Sequence, residues 1–143
     1  MIFKETKRLI CKSEMAVING LPKASRNILE TIDLKNIEPL SGMEFGFMFY
    51  DKTSNEHICQ IHFEEKRKEY EISYGTKELH RGKGYMQEAL EFFVNWVFEN
   101  TCIECLYALI NNNAISQHIL EKNGFELERT EPYGTWFVRK KSN

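Results

Sequence analysis

Residues Lys68 to Asn100 read KEYEISYGTKELHRGKGYMQEALEFFVNWVFEN, and three local signals follow one another within them. From Lys68 to Thr76 the pattern alternates, with Glu69, Glu71 and Ser73 on one side, as a half-buried strand does. From Leu79 to Met86 comes a glycine loop with two cations, Arg81-Gly82-Lys83-Gly84. From Gly84 to Asn100 the apolar residues Met86, Ala89, Leu90, Phe93 and Val97 recur at helical spacing, while Gln87, Glu91 and Asn95 take the opposite side. Strand, glycine loop and helix in that order form the first half of a crossover unit. Its second half is the strand expected over Cys102 to Ile110, which should run parallel to the first.

The glycine loop carries the chemistry. Glycine lets a backbone approach a ligand closely, and a helix start offers free amides and partial positive charge, which suit a diphosphate. On its own the loop fits a solvated turn equally well. A Walker loop is excluded because Lys83 is followed by Gly84, and a Rossmann fingerprint because Gln87 stands where the third glycine belongs.

Around this unit the pattern predicts a mixed sheet. A first strand is expected over Lys7 to Cys11, then a short helix over Glu14 to Asn19 capped by Ser13 and ended by Gly20. A weak helix follows over Lys23 to Leu34, and a loop over Glu38 to Gly42. Strands Glu44 to Tyr50, His57 to Phe63 and Lys68 to Thr76 form an antiparallel meander, with Glu64 to Glu69 read mainly as a solvated hairpin tip. Asn113 suits the N-cap of a helix over Ala114 to Lys122, and Gly124 its left-handed end. Strands over Phe125 to Arg129 and Thr135 to Arg139, turning at Tyr133-Gly134, close the sheet. The result is an α+β fold, three-layer α/β/α, with a mixed, mostly antiparallel sheet and a parallel strand pair.

The 143 residues fit one domain over 1–143. With 19 basic and 21 acidic residues, the net charge gives no reason to expect nucleic acid or an anionic membrane as partner. No apolar run reaches the roughly 20 residues of a membrane span, and no signal peptide is expected, so a cytoplasmic setting follows. Cys11, Cys59, Cys102 and Cys105 are expected as reduced thiols. Cys102 and Cys105, three apart on one strand, point to opposite faces and should not share a metal or a disulfide. His57, His62, His80 and His118 form no HxxxH or HExxH pattern, so no metal site is expected.

A second segment joins the loop: Asn113-x-x-Ser116, then Leu120-Glu121-Lys122-x-Gly124-Phe125. Together with Arg81-Gly82-Lys83-Gly84-Tyr85 and Glu88-Ala89-Leu90, it resembles the GNAT N-acetyltransferase superfamily. The branch it is most similar to is that of the ribosomal-protein N-terminal acetyltransferases, whose first strand the opening Glu5-Thr6-Lys7-Arg8-Leu9 also resembles. The likeness is good over 68–126 and looser over 5–11 and 127–139. Residues 12–43, which in the family shape the acceptor side, look short.

The resemblance implies acetyl-CoA as cosubstrate and a primary amine, small molecule or protein N-terminus, as acceptor, with a homodimer by analogy. The CoA diphosphate should meet the amides of Arg81, Gly82, Lys83, Gly84, Tyr85 and Met86, although Met86 stands where the family has Gly or Ala. The pantetheine should lie along Ser73, Tyr74 and Thr76, with Asn113 bonding it from the other lip. Glu71 matches the family's acidic strand position and is the expected base, with Glu44 and Glu69 in reserve. It also fits a solvent-facing strand carboxylate. The family's usual acid, a Tyr, is replaced by Leu120. Ser116 is expected to donate to the leaving thiolate instead, unless it only bonds local backbone, with Tyr133 a weaker substitute. An inactive acyl-CoA-binding regulator on the same fold, or a structural domain with a glycine turn, remain the alternatives.

Overall fold

A computed structural model of the chain describes the backbone of residues 2–18, 21–24, 44–67 and 69–142, and side chains over 5–12, 44, 46–67 and 69–142. Among these residues the strands are β1 (Ile2–Glu5), β2 (Leu9–Ile18), β3 (Leu21–Ala24), β4 (Glu44–Asp51), β5 (His57–Lys66), β6 (Glu69–Thr76), β7 (Cys105–Ile110), β8 (Glu126–Glu131) and β9 (Gly134–Lys140). The helices are α1 (Tyr85–Asn100) and α2 (Ala114–Lys122), with a short 3-10 turn over Glu78–His80. All nine strands form one sheet in the order β1-β2-β4-β5-β6-β7-β9-β8, with β3 beside β2.

Every pairing is antiparallel except β6 with β7, the two strands joined through α1. This is the crossover the sequence predicts. The parallel pair is short: Glu71 faces Tyr107 and Ile72 faces Ala108. Beyond that point β6 continues to Thr76 and β7 to Ile110 without pairing to each other. The sheet therefore opens at its middle.

One sheet face carries both helices. Phe47, Ile61, Phe63, Tyr70, Ile72, Leu106, Ala108 and Phe137 share that face by register, and all are buried. The helical periodicity decides what meets them. Met86, Ala89, Leu90, Phe93 and Val97 are all buried in the same cluster, which Leu120 and Phe125 join. Phe93 meets the edge of Phe47 at 4.9 Å, and Phe63 stacks on Tyr70 at 5.3 Å. Burying each such ring contributes roughly 1.5–3 kcal/mol. Of the three expected layers, the described residues supply the sheet and one helical layer.

Several expectations change. The helix expected over Glu14 to Asn19 is strand through Ile18, because β2 pairs with β3 on one side and with β4 from Leu9↔Asp51 to Val17↔Glu44 on the other. Pairing on two edges outweighs a weak helical propensity. Lys23 and Ala24 lie in β3, while 25–34, Gly20 and the loop 38–42 lie outside the described residues. Strand β2 begins at Leu9 rather than Lys7, because Thr6–Arg8 form a turn closed by Thr6 N–H to Leu9 O at 2.9 Å. Strand β7 begins at Cys105, not Cys102. Thr101 ends α1 by donating its hydroxyl to Val97 O at 2.7 Å and accepting from Ile103 N at 3.1 Å. That bend leaves Cys102 exposed and off the strand. Strand β5 runs on to Lys66, so most of the expected hairpin tip is sheet; Arg67, with φ 54, begins the turn.

Candidate active site

The glycine loop follows β6 and the 3-10 turn and leads into α1. Gly82 and Gly84 both take left-handed backbone, φ 77 and φ 78, on either side of Lys83. Alternating hands of this kind turn successive amides toward one concavity. Gly84 is the N-cap of α1 and no side chain caps it, so the first-turn amides stay available for a ligand. A Cβ at Gly82 would meet nothing within 4 Å, so the loop's outer side is open. Arg81, Gly82, Lys83 and Gly84 are exposed. Arg81 is tied back by its Nε to Thr76 O at 3.1 Å. Met86 is only 6% exposed, so its bulk goes into the core and only its amide faces the loop region.

The opening between β6 and β7 lies next to this loop. Ser73 is exposed, and Tyr74 and Thr76 are half-buried, on the end of β6 that pairs with β5 but not with β7. Tyr74 reaches across the opening and donates its hydroxyl to Ser116 O at 3.1 Å. Burial pushes the Tyr74 pKa up to about 12, against the opposing effect of that bond, so it is a proton-bearing donor at neutral pH. Asn113 caps α2 as expected, with its side-chain oxygen accepting from Ser116 N–H at 3.0 Å. No hydrogen bond from the Ser116 hydroxyl occurs among the described residues. Leu120 is fully buried.

Glu71 lies one step before the last paired position, Ile72↔Ala108, on the face away from the helices. Glu44, Glu64 and Glu71 are successive register partners across β4, β5 and β6. Lys66 sits among them, with its Nζ 3.1 Å from Glu64 and 3.6 Å from Glu71. Burial acts to raise the Glu64 pKa, but Lys66, Glu44 and His62 outweigh it and hold it below its ordinary value. The Glu64 hydrogen bond raises Lys66, with burial opposing and Glu71 adding to the rise. Sequence reasoning missed Glu64 and Lys66 here. The alternation of Ile61 and Phe63 with His62 and Glu64 was the available signal. Glu69 is exposed, paired in register with Lys66. Tyr133 is exposed and accepts from Trp136 Nε1 at 3.1 Å, and His118 is exposed. Neither is brought to the opening by a described contact.

Cys11 and Cys59, buried in the sheet, are held as neutral thiols. Burial pushes the Cys59 thiol up to about 12, with the Glu88 charge adding. Burial, with Cys59, pushes Cys11 higher still. Among the described residues no cluster of His, Cys, Asp or Glu is arranged to hold a metal ion. No described helix is long and apolar enough to cross a membrane.

Behind the loop lies a network the sequence reading left without a role. Glu88 accepts from the Thr6 hydroxyl, from Arg8 N–H at 2.8 Å and from Arg8 Nε at 2.8 Å. Burial acts to raise the Glu88 pKa, but the Thr6 and Arg8 hydrogen bonds and the Arg8 charge outweigh it, so it stays below the ordinary 4.5. A depressed carboxylate stabilises the fold fully above its unfolded value, and that contribution is lost as pH falls through the folded one. Wild type and Glu88→Gln should therefore differ in urea midpoint at pH 7 and converge as pH falls below about 4. A gap that persists or widens in acid would contradict this.

Comparison with known proteins agrees with this geometry. A family model described as an acetyltransferase (GNAT) domain matches residues 10–126. The Bacillus subtilis (strain 168) protein called uncharacterized N-acetyltransferase YjdG is 35% identical over 68 residues, 46% of this chain and 40% of that protein. The crystal structure of an acetyltransferase from Agrobacterium tumefaciens str. C58 superposes with a TM-score of 0.70 at 21% identity, covering 96% of this chain and 94% of that one. RimL, a ribosomal L7/L12 alpha-N-protein acetyltransferase solved with coenzyme A, superposes at 0.60 with 18% identity, over 68% of this chain and 62% of that one. The matches at these identities to solved structures are matches of fold, and the parallel pair β6/β7 is the one that the strand–helix–strand order predicts. With 117 of its 143 residues inside the family model, the chain belongs to the GNAT acetyltransferase family.

Proposed function

We propose that this chain is an N-acetyltransferase that moves the acetyl group of acetyl-CoA directly to a primary amine, a protein N-terminus or a small molecule, in the cytosol. The observation that carries this reading is the parting of β6 from β7 beside a left-handed glycine loop at the head of α1. The loop amides from Arg81 to Met86 receive the diphosphate. Tyr74 and Thr76, whose backbone groups turn to the side that β7 leaves open, offer strand backbone to the pantetheine amides beside Ser73, whose backbone pairs with β5, and the Asn113 amide group bonds the arm from the other side.

An amine acceptor arrives charged at neutral pH. Glu71, at the base of the opening, takes one proton through a water. The nitrogen then bonds to the thioester carbon, the C–S bond breaks, and the second amine proton leaves as the sulfur gains one. The Ser116 hydroxyl supplies the hydrogen bond that the departing thiolate needs, while the Tyr74 hydroxyl stays on Ser116 O across the opening. Ser116→Ala is expected to lower kcat about tenfold, the worth of one hydrogen bond to a charged group, with CoA affinity unchanged. Wild-type kinetics would remove Ser116 from the step.

The test of the reading is release of free thiol from acetyl-CoA with a panel of peptide N-termini, polyamines and aminoglycosides. Turnover with any of them supports it. The second reading, a CoA-binding regulator, rests on Leu120, whose burial leaves no acid at the family's usual position. It predicts thermal stabilisation by CoA with no thiol release across the panel.

A further inference from the structure

Two left-handed glycines make a loop that many backbone conformations satisfy, so something must hold Gly82 to Gly84 in the one where their amides converge. The loop's own α1 cap supplies no side-chain bond. The holding groups come from the other end of the chain. Arg8, in the turn between β1 and β2, donates Nη1 to Lys83 O at 2.9 Å. Its guanidinium carbon lies 4.1 Å from the centre of the Tyr85 ring. Its Nη2 would stand 3.6 Å from a Cβ at Gly84. The Tyr85 hydroxyl is in turn 3.4 Å from Asp51 Oδ2 at the end of β4, and His80 meets the ring's edge.

Arg8 is itself immobilised. Its Nε and its backbone amide both bond Glu88, on the first turn of α1, and Lys52 N–H bonds its carbonyl at 2.9 Å. A trans peptide points its C=O and its N–H in opposite directions. Drawing Lys83 O toward Arg8 therefore aims the Gly84 N–H away from Arg8, toward the loop's open side.

We propose that Arg8, gripped by Glu88, which the Thr6 hydroxyl in turn holds, is a positioning residue for the diphosphate loop: it holds the Lys83–Gly84 peptide so that the Gly84 amide faces the CoA diphosphate. The inference rests on the acetyl-CoA reading given above. Arg8 acts from behind the loop through Lys83 O, and no contact of Arg8 with the ligand is required.

Calorimetric titration of the whole chain with CoA and with 3′-dephospho-CoA tests it, at a temperature well below each variant's melting point. Arg8→Met keeps the apolar stem over Tyr85 and removes the bonds. It should weaken both ligands about tenfold and equally, because both carry the diphosphate and a charge-assisted contact is lost. Arg8→Lys keeps the charge without the planar fork that spans Glu88 and Lys83 O, and should recover only a minor part of the loss. Glu88→Gln and Thr6→Val, which loosen Arg8 without removing it, should weaken both ligands in the same sense by a few-fold. Affinity within twofold of wild type in Arg8→Met overturns the proposal. So does full recovery in Arg8→Lys, which would make Arg8 a mere charge, or a loss confined to CoA, which would make it a 3′-phosphate ligand. Failure of the wild-type chain to bind CoA contradicts the acetyl-transfer reading and Arg8 with it, whereas wild-type binding matched by every variant overturns Arg8 alone.

Discussion

Gly84→Glu is expected to abolish CoA binding, with an affinity loss of at least about a hundredfold. Two effects combine. Gly84 holds φ 78, where any side chain is strained, and that part costs about 1 kcal/mol. The larger part is the carboxylate, which starts from a Cβ only 3.6 Å from Arg8 Nη2, competes with Glu88 for Arg8, and brings a negative charge to the head of α1 beside the proposed diphosphate site. Gly84→Ala separates the two effects, since its Cβ meets only ordinary van der Waals contact. It should lose a few-fold at most. Calorimetric titration with CoA reads both variants. Unchanged affinity in Gly84→Glu would refute the placement of the diphosphate.

Glu71→Gln is expected to lower kcat between about a hundredfold and ten-thousandfold, the range for loss of a positioned base, while CoA binds as in wild type. The substitution preserves size and keeps an oxygen near Lys66, which now stands 3.6 Å from the carboxylate. A base becomes unnecessary once the amine is neutral, so the deficit should shrink as pH rises toward the amine's own pKa. Turnover within a few-fold of wild type at pH 7 would move the role to bulk water or to Glu44 or Glu64, the register neighbours on the same face.

How much of this was legible in the sequence depended on the range of the interaction that decides each element. Helix α1 was legible because Met86, Ala89, Leu90, Phe93 and Val97 mark their buried face within 12 residues, and all five are buried. The Asn113 cap and the left-handed Gly124 were legible because capping is decided by neighbouring backbone. Strand β2 beyond Cys11 was not. Its residues Ser13 to Ile18 carry no clean alternation, and what makes them strand is pairing with β4 about thirty residues later, a long-range term that propensity does not contain.

The site divides in the same way. The glycine loop was readable from Gly82 and Gly84, and the parallel crossover from the strand–helix–strand order; the left-handed backbone of both glycines and the parting of the strands are seen in the structure. The Arg8–Glu88 pair joins positions 80 apart, and a motif can mark such residues without saying that they meet. The carboxylate row of Glu44, Glu64 and Glu71 needs the register of three strands, which hairpin-tip composition hides. Thr101 shows the opposite case, where one side chain folding back on Val97 O shifts a strand's start by three residues.

The claim on which the account turns is that CoA enters the parted strands with its diphosphate on the loop amides. Amide chemical shifts of the isotope-labelled chain during titration with CoA test it most directly. The prediction is large, saturable shifts at Gly82, Gly84, Tyr85 and Met86, accompanied by Ser73 to Thr76 on the end of β6 that has parted from β7, with β8 and the far end of α1 little moved. Saturation by CoA with those amides still, or with shifts confined elsewhere, would contradict it.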